Sequence, residues 1–377
     1  MLHNTASAVL CSRMRSNLNV VSKMLADDVQ NSFVEMAKRN RVFVLGAGFS
    51  VAAGVPLTNE LLRTAMNLFS AECPGIDSRV ETYAMEAIGQ RTESLDISKL
   101  NFSELCTFLE FVELREYGGG ERWSENGSRE KLALRFYLAK AIVASTPRPK
   151  DVPELYRAFA DQLQPRDIVI SFNWDGLLEA ALESVGKPYT YERANEGAIV
   201  IAKLHGSVNW RLHEPRRLDR SPPMLRWRQL DFGGDPTKPS MYCAPELLNA
   251  RAWTHIQPLS EVDPYLVLPG YGKAFDVRAN APLWYKPEFA FAFTHDVYVI
   301  GLSLAHDDFF VRSFFLSNLP YLNDFTDVPD RKVVIINPSD DVYRDYDFVL
   351  KTGSAEVWKE KFDIAHIDRI KRRTASA

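Results

Sequence analysis

The chain has 377 residues, of which 46% are hydrophobic and 25% charged, and its formal net charge is −4. That length holds one large domain or two ordinary ones, and the composition is that of a globular protein with a sizeable core. Slight acidity argues against a nucleic-acid coat, and four cysteines without a CxxC pair support neither a zinc ribbon nor a disulfide framework. A reduced cytoplasmic setting is the expectation. No apolar run reaches the length of a membrane span, and the N-terminus lacks the apolar core of a signal peptide.

In chain order, residues 1–40 read as an N-terminal helical segment, with Val20, Val21, Met24, Leu25, Val29, Phe33 and Met36 at near-helical spacing. Arg41 to Leu45 is a short apolar run ended by glycine and reads as the first strand. Thr58 can cap the helix that follows, and residues 59–166 read as an all-helical insertion broken at Gly118-Gly119-Gly120. Asp167 to Ser171 reads as the second strand, Gly176 to Gly186 as a helix, and Ala198 to Ala202 as the third strand. Residues 211–287, rich in Pro, Trp and Arg, read as an irregular subdomain. Strands return at Val297 to Ile300 and Lys332 to Ile336, with a helix through Phe309, Phe310, Val311, Phe314 and Phe315 between them. Residues 341–377 read as a last helix over Glu356 to Phe362 and a basic, solvated tail, Arg369 to Arg373. Continuous apolar strands alternating with helices indicate an α/β, Rossmann-like fold, a mostly parallel sheet with helices on both faces.

Polar clusters end several of these strands, and a parallel sheet gathers them at one edge. The first is Gly46-Ala47-Gly48-Phe49-Ser50. Its glycines can take positive φ and admit phosphate oxygens to the backbone, or simply form a tight strand-to-helix turn. The dinucleotide fingerprint is incomplete, since its third glycine falls at Val51 and no acid-ended strand follows about 20 residues on. No Walker lysine follows the glycines. The second cluster is Asn173 with Asp175. The amide can orient a ribose, and the carboxylate can accept from hydroxyls or cap the helix at Gly176. The third is His205-Gly206, an imidazole at a strand end with a glycine that leaves room beside it. His213, His255, His295 and His306 have no such company and read as structural or exposed. The fourth, Gly301-Leu302-Ser303 with Asn337, offers a small turn and an amide for a nucleoside, or ordinary turn chemistry.

Taken in order, Gly46-Ala47-Gly48-Phe49-Ser50 with Gly54-Val55-Pro56, Phe172-Asn173-Trp174-Asp175, His205-Gly206, Gly301-Leu302-Ser303 and Ile336-Asn337 resemble the sirtuin family, and more closely its bacterial antiphage-defence branch. The resemblance spans residues 41–340, as an NAD-binding domain. It implies NAD+ as substrate and no metal, with the glycine turn and Ser50 near the phosphates. Asn173 and Asp175 would hold the nicotinamide-ribose end and His205 would be the base. Ser303 and Asn337 would lie on the adenosine side. The four-cysteine zinc module of the deacylases is missing, and Phe172 stands where they have glutamine. Both departures turn the expectation from deacylation toward NAD+ hydrolysis, which the defence branch performs.

The resemblance further implies an effector that depletes cellular NAD+, kept off by homo-oligomerisation or by a partner such as a translocase ATPase or an Argonaute-like protein. No membrane and no direct nucleic-acid contact are expected. Three other readings stand beside it: a sensing module that binds NAD+ or ADP-ribose without turnover, an NAD-dependent deacylase, and a structural subunit with a degenerate pocket.

Overall fold

The computed structural model describes residues 41–72, 99–114, 123–124, 127–191, 197–213, 224–227, 264–270, 296–305, 308–319, 332–350 and 355–376, with a few single positions between them. The helix expected through Asn19 to Met36, the Gly118 to Gly120 break, most of the irregular subdomain, and His255, His295 and His306 lie outside these residues.

The chain enters through β1 (Arg41–Leu45), a single-turn helix α1 (Ala47–Ser50) and a 3-10 turn (Val51–Ala53). The insertion follows: α2 (Thr58–Glu72), α3 (Phe102–Leu114), a hairpin of β2 (Trp123–Ser124) and β3 (Gly127–Ser128), α4 (Arg129–Ser145) and α5 (Glu154–Gln162). Among the described residues it is therefore helical with one small hairpin, and α2 begins at Thr58 itself. Next come β4 (Ile168–Ser171), α6 (Leu177–Ser184), β5 (Tyr189–Thr190), β6 (Ile199–Lys203) and a second hairpin, β7 (Trp210–His213) with β8 (Met224–Trp227). The chain closes with β9 (Asp296–Ile300), α7 (Phe309–Asn318), β10 (Lys332–Ile336), α8 (Val342–Asp345), α9 (Asp347–Leu350), β11 (Ala355–Trp358) and α10 (Ile364–Ser376).

Seven strands form one sheet in the order β11-β10-β9-β1-β4-β6-β5. Every pairing within it is parallel, so the sheet is a Rossmann-like, doubly wound one. The helix expected over Glu356 to Phe362 is instead the edge strand β11, where Ile336 pairs with Trp358, followed by α10. A four-residue run is too short to show its period, and the open edge of β10 decides its conformation. Nor is the tail merely solvated. Arg369 lies within α10, with its guanidinium 3.6 Å over the Trp358 ring.

Period-two alternation splits the strand residues between two cores. Phe43, Leu45, Val169, Ile199, Ile201 and Ile300 pack on one face with Phe49, Phe159, Leu177 and Ile367. Val42, Val44, Ile170, Ala202 and Val299 pack on the other with Val311, Phe314, Phe315 and Tyr346. Burying each large apolar side chain contributes about 1.5–3 kcal/mol. Helices α2, α3 and α4 have a separate core, joined to the rest through Val208, Leu266 and Leu268.

Two consequences position a site. Register aligns Leu45, Ser171, Lys203, Ile300 and Ile336 in one row, so the polar clusters that follow them emerge together at the carboxyl edge. The chain after β1 turns to the first face, where Phe49 packs, and the chain after the adjacent β9 turns to the second, where Val311 and Phe314 pack. That divergence is a topological switch point, where open α/β sheets form their ligand crevice.

Candidate active site

The glycine turn is shaped by its own neighbour. Gly46 has φ −113°, and Gly48 is likewise outside the left-handed region, so neither needs positive φ. What they need is space. A Cβ on Gly46 would lie 2.4 Å from Leu302 Cα, one on Gly48 2.8 Å from the Gly301 oxygen, and one on Gly301 (φ +63°) 2.2 Å from the Phe49 nitrogen. The Gly46 and Gly48 N–H groups donate to the Ile300 and Gly301 carbonyls, at 3.0 and 2.8 Å, and Phe49 N–H donates to Gly46 O at 2.9 Å. On the Cβ side of both glycines the space is filled by the backbone of Gly301 and Leu302. Ala47, Gly48, Gly54 and Ser303 are exposed, Pro56 is half-buried, and these form the solvent-facing rim. Gly54 takes φ +87° to close the 3-10 turn.

Behind that rim, Ser50, Asn173 and Asp175 form one buried cluster. The Asn173 amide donates both hydrogens, to Gly46 O at 2.9 Å and to Ser50 Oγ at 3.1 Å. Its Oδ1 is thereby the acceptor side. Ser50 Oγ donates to Asp175 Oδ2 at 2.9 Å, and Asp175 Oδ1 accepts from Leu177 N–H at 3.0 Å. Asp175 thus places one oxygen on the first N–H of α6 and the other on Ser50. Burial pushes the Asp175 carboxyl up, while the Lys203 ammonium pulls it part of the way back. Tyr156 of α5 donates to Phe49 O at 2.7 Å and fixes the turn from the insertion side. Its phenol is raised by burial first and by Asp175 second.

The His205 side chain shares no hydrogen bond with this cluster. Its ring meets Phe172 edge-to-face at 5.0 Å and lies 6.4 Å from Trp284. Nε2 is buried with no hydrogen-bond partner, although the ring has a backbone hydrogen bond to Phe172. Burial first, and Lys273 second, hold its pKa well below the ordinary 6.5, so the imidazole is neutral at pH 7. The tips carrying Asn173 and His205 are nonetheless tied together. Trp174 Nε1 donates to His205 O at 3.0 Å, and Val208 N–H donates to Trp174 O at 3.1 Å. Gly206 does not make room for a ligand. It takes φ +77°, and a Cβ there would lie 2.1 Å from Tyr265 O, because the 264–268 segment bonds across this loop.

Asn337 serves a turn. Its Nδ2 donates to Leu302 O at 3.1 Å and its Oδ1 accepts from Ser339 N–H at 2.9 Å. Sequence reasoning missed Tyr156, Lys203, Glu179 and Lys273. The available signal was a charge inside an apolar run: Lys203 ends Ile199-Val200-Ile201-Ala202, and Glu179 sits between Leu178 and Ala180. Lys273 pairs with Asp308 at 2.6 Å, and Asp308 caps α7 through Val311 N–H. Among the described residues, no group of three or more His, Cys, Asp or Glu is placed to hold a metal, and no helix is long and apolar enough to cross a membrane.

No protein-family model and no curated protein matches the chain. Among solved structures it is similar to a sirtuin solved for the basis of its substrate affinity, at 14% identity over 93% of this chain and 99% of that one, with a TM-score of 0.38. It is similar to a Sir2 enzyme solved for its mechanism and regulation, at 13% identity over 94% and 100% of the two chains, TM-score 0.38. A third is Sir2 with a p53 peptide and NAD+, at 12% identity over 92% and 98%, TM-score 0.35.

Proposed function

We propose that this chain hydrolyses NAD+ at the nicotinamide–ribose bond, releasing nicotinamide, ADP-ribose and a proton. The observation that carries the reading is the Gly46–Ser50–Asn173–Asp175 cluster at a switch-point crevice, on a strand tip bonded to that of a neutral His205 with an unpartnered Nε2. The ordered motifs that resemble sirtuins supply the substrate class. Nicotinamide leaves as a neutral base when the C–N electron pair returns to its ring nitrogen. Oxocarbenium-like charge then develops on the ribose, as in glycoside hydrolysis. Asn173 Oδ1 accepts from the attacking water or a ribose hydroxyl, and Asp175 steadies the nicotinamide end. His205 Nε2 takes the proton of the nucleophile, work typically worth about 10²–10⁴ in rate.

The same resemblance supports a role in antiphage defence, as an effector that drains NAD+ when a trigger releases it. Homo-oligomerisation, or a partner such as a translocase ATPase or Argonaute-like protein, would supply the off-state. The test is nicotinamide release by purified wild type, Asn173→Ala and His205→Ala, each with and without the neighbouring gene product. Release by wild type alone supports the reading. Calorimetric NAD+ binding without release under any condition makes the chain a sensor, and O-acyl ADP-ribose formed from an acylated peptide makes it a deacylase.

A further inference from the structure

Lys203 is 1% exposed, at the last position of β6, and Glu179 is 1% exposed on α6. Their side chains meet at 3.1 Å. The Lys203 ammonium also donates to the backbone carbonyl of Asp175. Glu179 Oε1 accepts a second bond, from Tyr191 Oη at 2.8 Å, and Asn209 Nδ2 donates to that phenol at 3.1 Å. The chain of bonds thus begins at Asp175, two residues beyond Asn173, and reaches Asn209, four residues beyond His205. Lys203 itself is two residues before His205.

A buried ion pair is a poor device for stability, because desolvating two charges offsets most of their attraction, and well-packed apolar replacements are often as stable. An apolar Leu–Met contact would fill this space without the charges. It would not hold the Asp175 carbonyl, which no hydrocarbon can bond. The pair also stands against a small cavity lined by Ser171, Asn173 and Asp175, so it forms the back wall of the cluster.

We propose that Lys203, clamped by Glu179, is a positioning residue that fixes the strand tip bearing Asn173 and Asp175 relative to the tip bearing His205. It touches no substrate. It sets the separation across which water and ribose must fit, and it acts through the backbone of Asp175. This inference rests on the hydrolase reading for its consequence in rate, but not for its geometry.

The test compares wild type, Lys203→Met, and Lys203→Met combined with Glu179→Leu. Lys203→Met alone leaves a buried carboxylate unpaired and unfolds more easily, so it cannot separate the roles. The double variant removes both charges and is expected to melt nearer the wild-type temperature than Lys203→Met does, short of it by the lost bonds to the Asp175 carbonyl and the Tyr191 hydroxyl. Its kcat for nicotinamide release is expected to fall about 100-fold, as a misplacement of about 1 Å does, with KM changed less than about threefold. Amide exchange in residues 173–177 and 205–209 is expected to quicken in the double variant while that of β1 and β9 does not change. A double variant with wild-type kcat and unchanged exchange overturns the proposal. If wild type releases no nicotinamide either alone or with the neighbouring gene product, the hydrolase reading fails, and exchange alone decides the positioning role.

Discussion

Around Ser50, Asn173 and Asp175 the groups are polar and bonded to one another, whereas the imidazole of His205 lies among Phe172 and Trp284 with one nitrogen unpaired. The first region is fixed before any ligand arrives, and its hydrogen bonds already determine which atom of Asn173 is left to accept. The second is kept dry and neutral, which costs the protein an unmade hydrogen bond and leaves a base ready to take a proton. In the proposed hydrolase, geometry resides in one region and reactivity in the other.

Removing either region should therefore fail differently. His205→Ala is expected to lower kcat by about 10²–10⁴ with little change in NAD+ affinity, because only the base is lost. Asn173→Ala is expected to lose about 100-fold in kcat and to weaken binding as well, since Ser50 and the Gly46 carbonyl lose their partner. Nicotinamide release paired with calorimetric NAD+ titration measures both. Equal effects of the two variants on binding would erase the division of labour.

Gly301→Ala asks how firmly the polar region is built. A left-handed φ and a 2.2 Å approach to Phe49 predict a loss of about 2–5 kcal/mol, read by urea unfolding. Asn337→Ala should cost about 1–3 kcal/mol by leaving Leu302 O and Ser339 N–H without the amide, while turnover at saturating NAD+ stays within about twofold. A large change in KM with no change in stability would instead restore the adenosine-side role read from the sequence.

Acidity probes the dry region when wild type is compared with a variant lacking His205, because the shifted Asp175 carboxyl is common to both. An unfolded histidine takes up its proton near pH 6.5, but His205 does so only at lower pH. Its contribution to stability is whole above about pH 6.5 and is lost as pH falls toward the folded value. Melting temperature should fall between pH 7.5 and 5 by more in wild type than in His205→Phe. The acid limb of kcat/KM should likewise sit below 6.5. A limb at or above that value would mean a different base.

Five strands were legible in the sequence because burial on both faces leaves continuous apolar runs such as Val42 to Leu45 and Val297 to Ile300. The edge strands were not, since Tyr189–Thr190 and Ala355–Trp358 are short and owe their conformation to a neighbour far along the chain. The Ser50–Asn173–Asp175 grouping followed from counting strand ends. The reason for the glycines did not, because the atoms they avoid, in Gly301 and Leu302, lie some 250 positions away. Lys203 was visible only as an oddity, a charge closing an apolar run, and its partners across α6 needed coordinates.

That contact between Gly48 and Gly301 also limits how the crevice can evolve. Its two walls touch main chain to main chain, so neither can gain even a methyl group without pushing the other away. A change in what the crevice admits cannot proceed by enlarging or reshaping these inner positions. It is confined to outward residues such as Ala47 and Ser303, which face solvent.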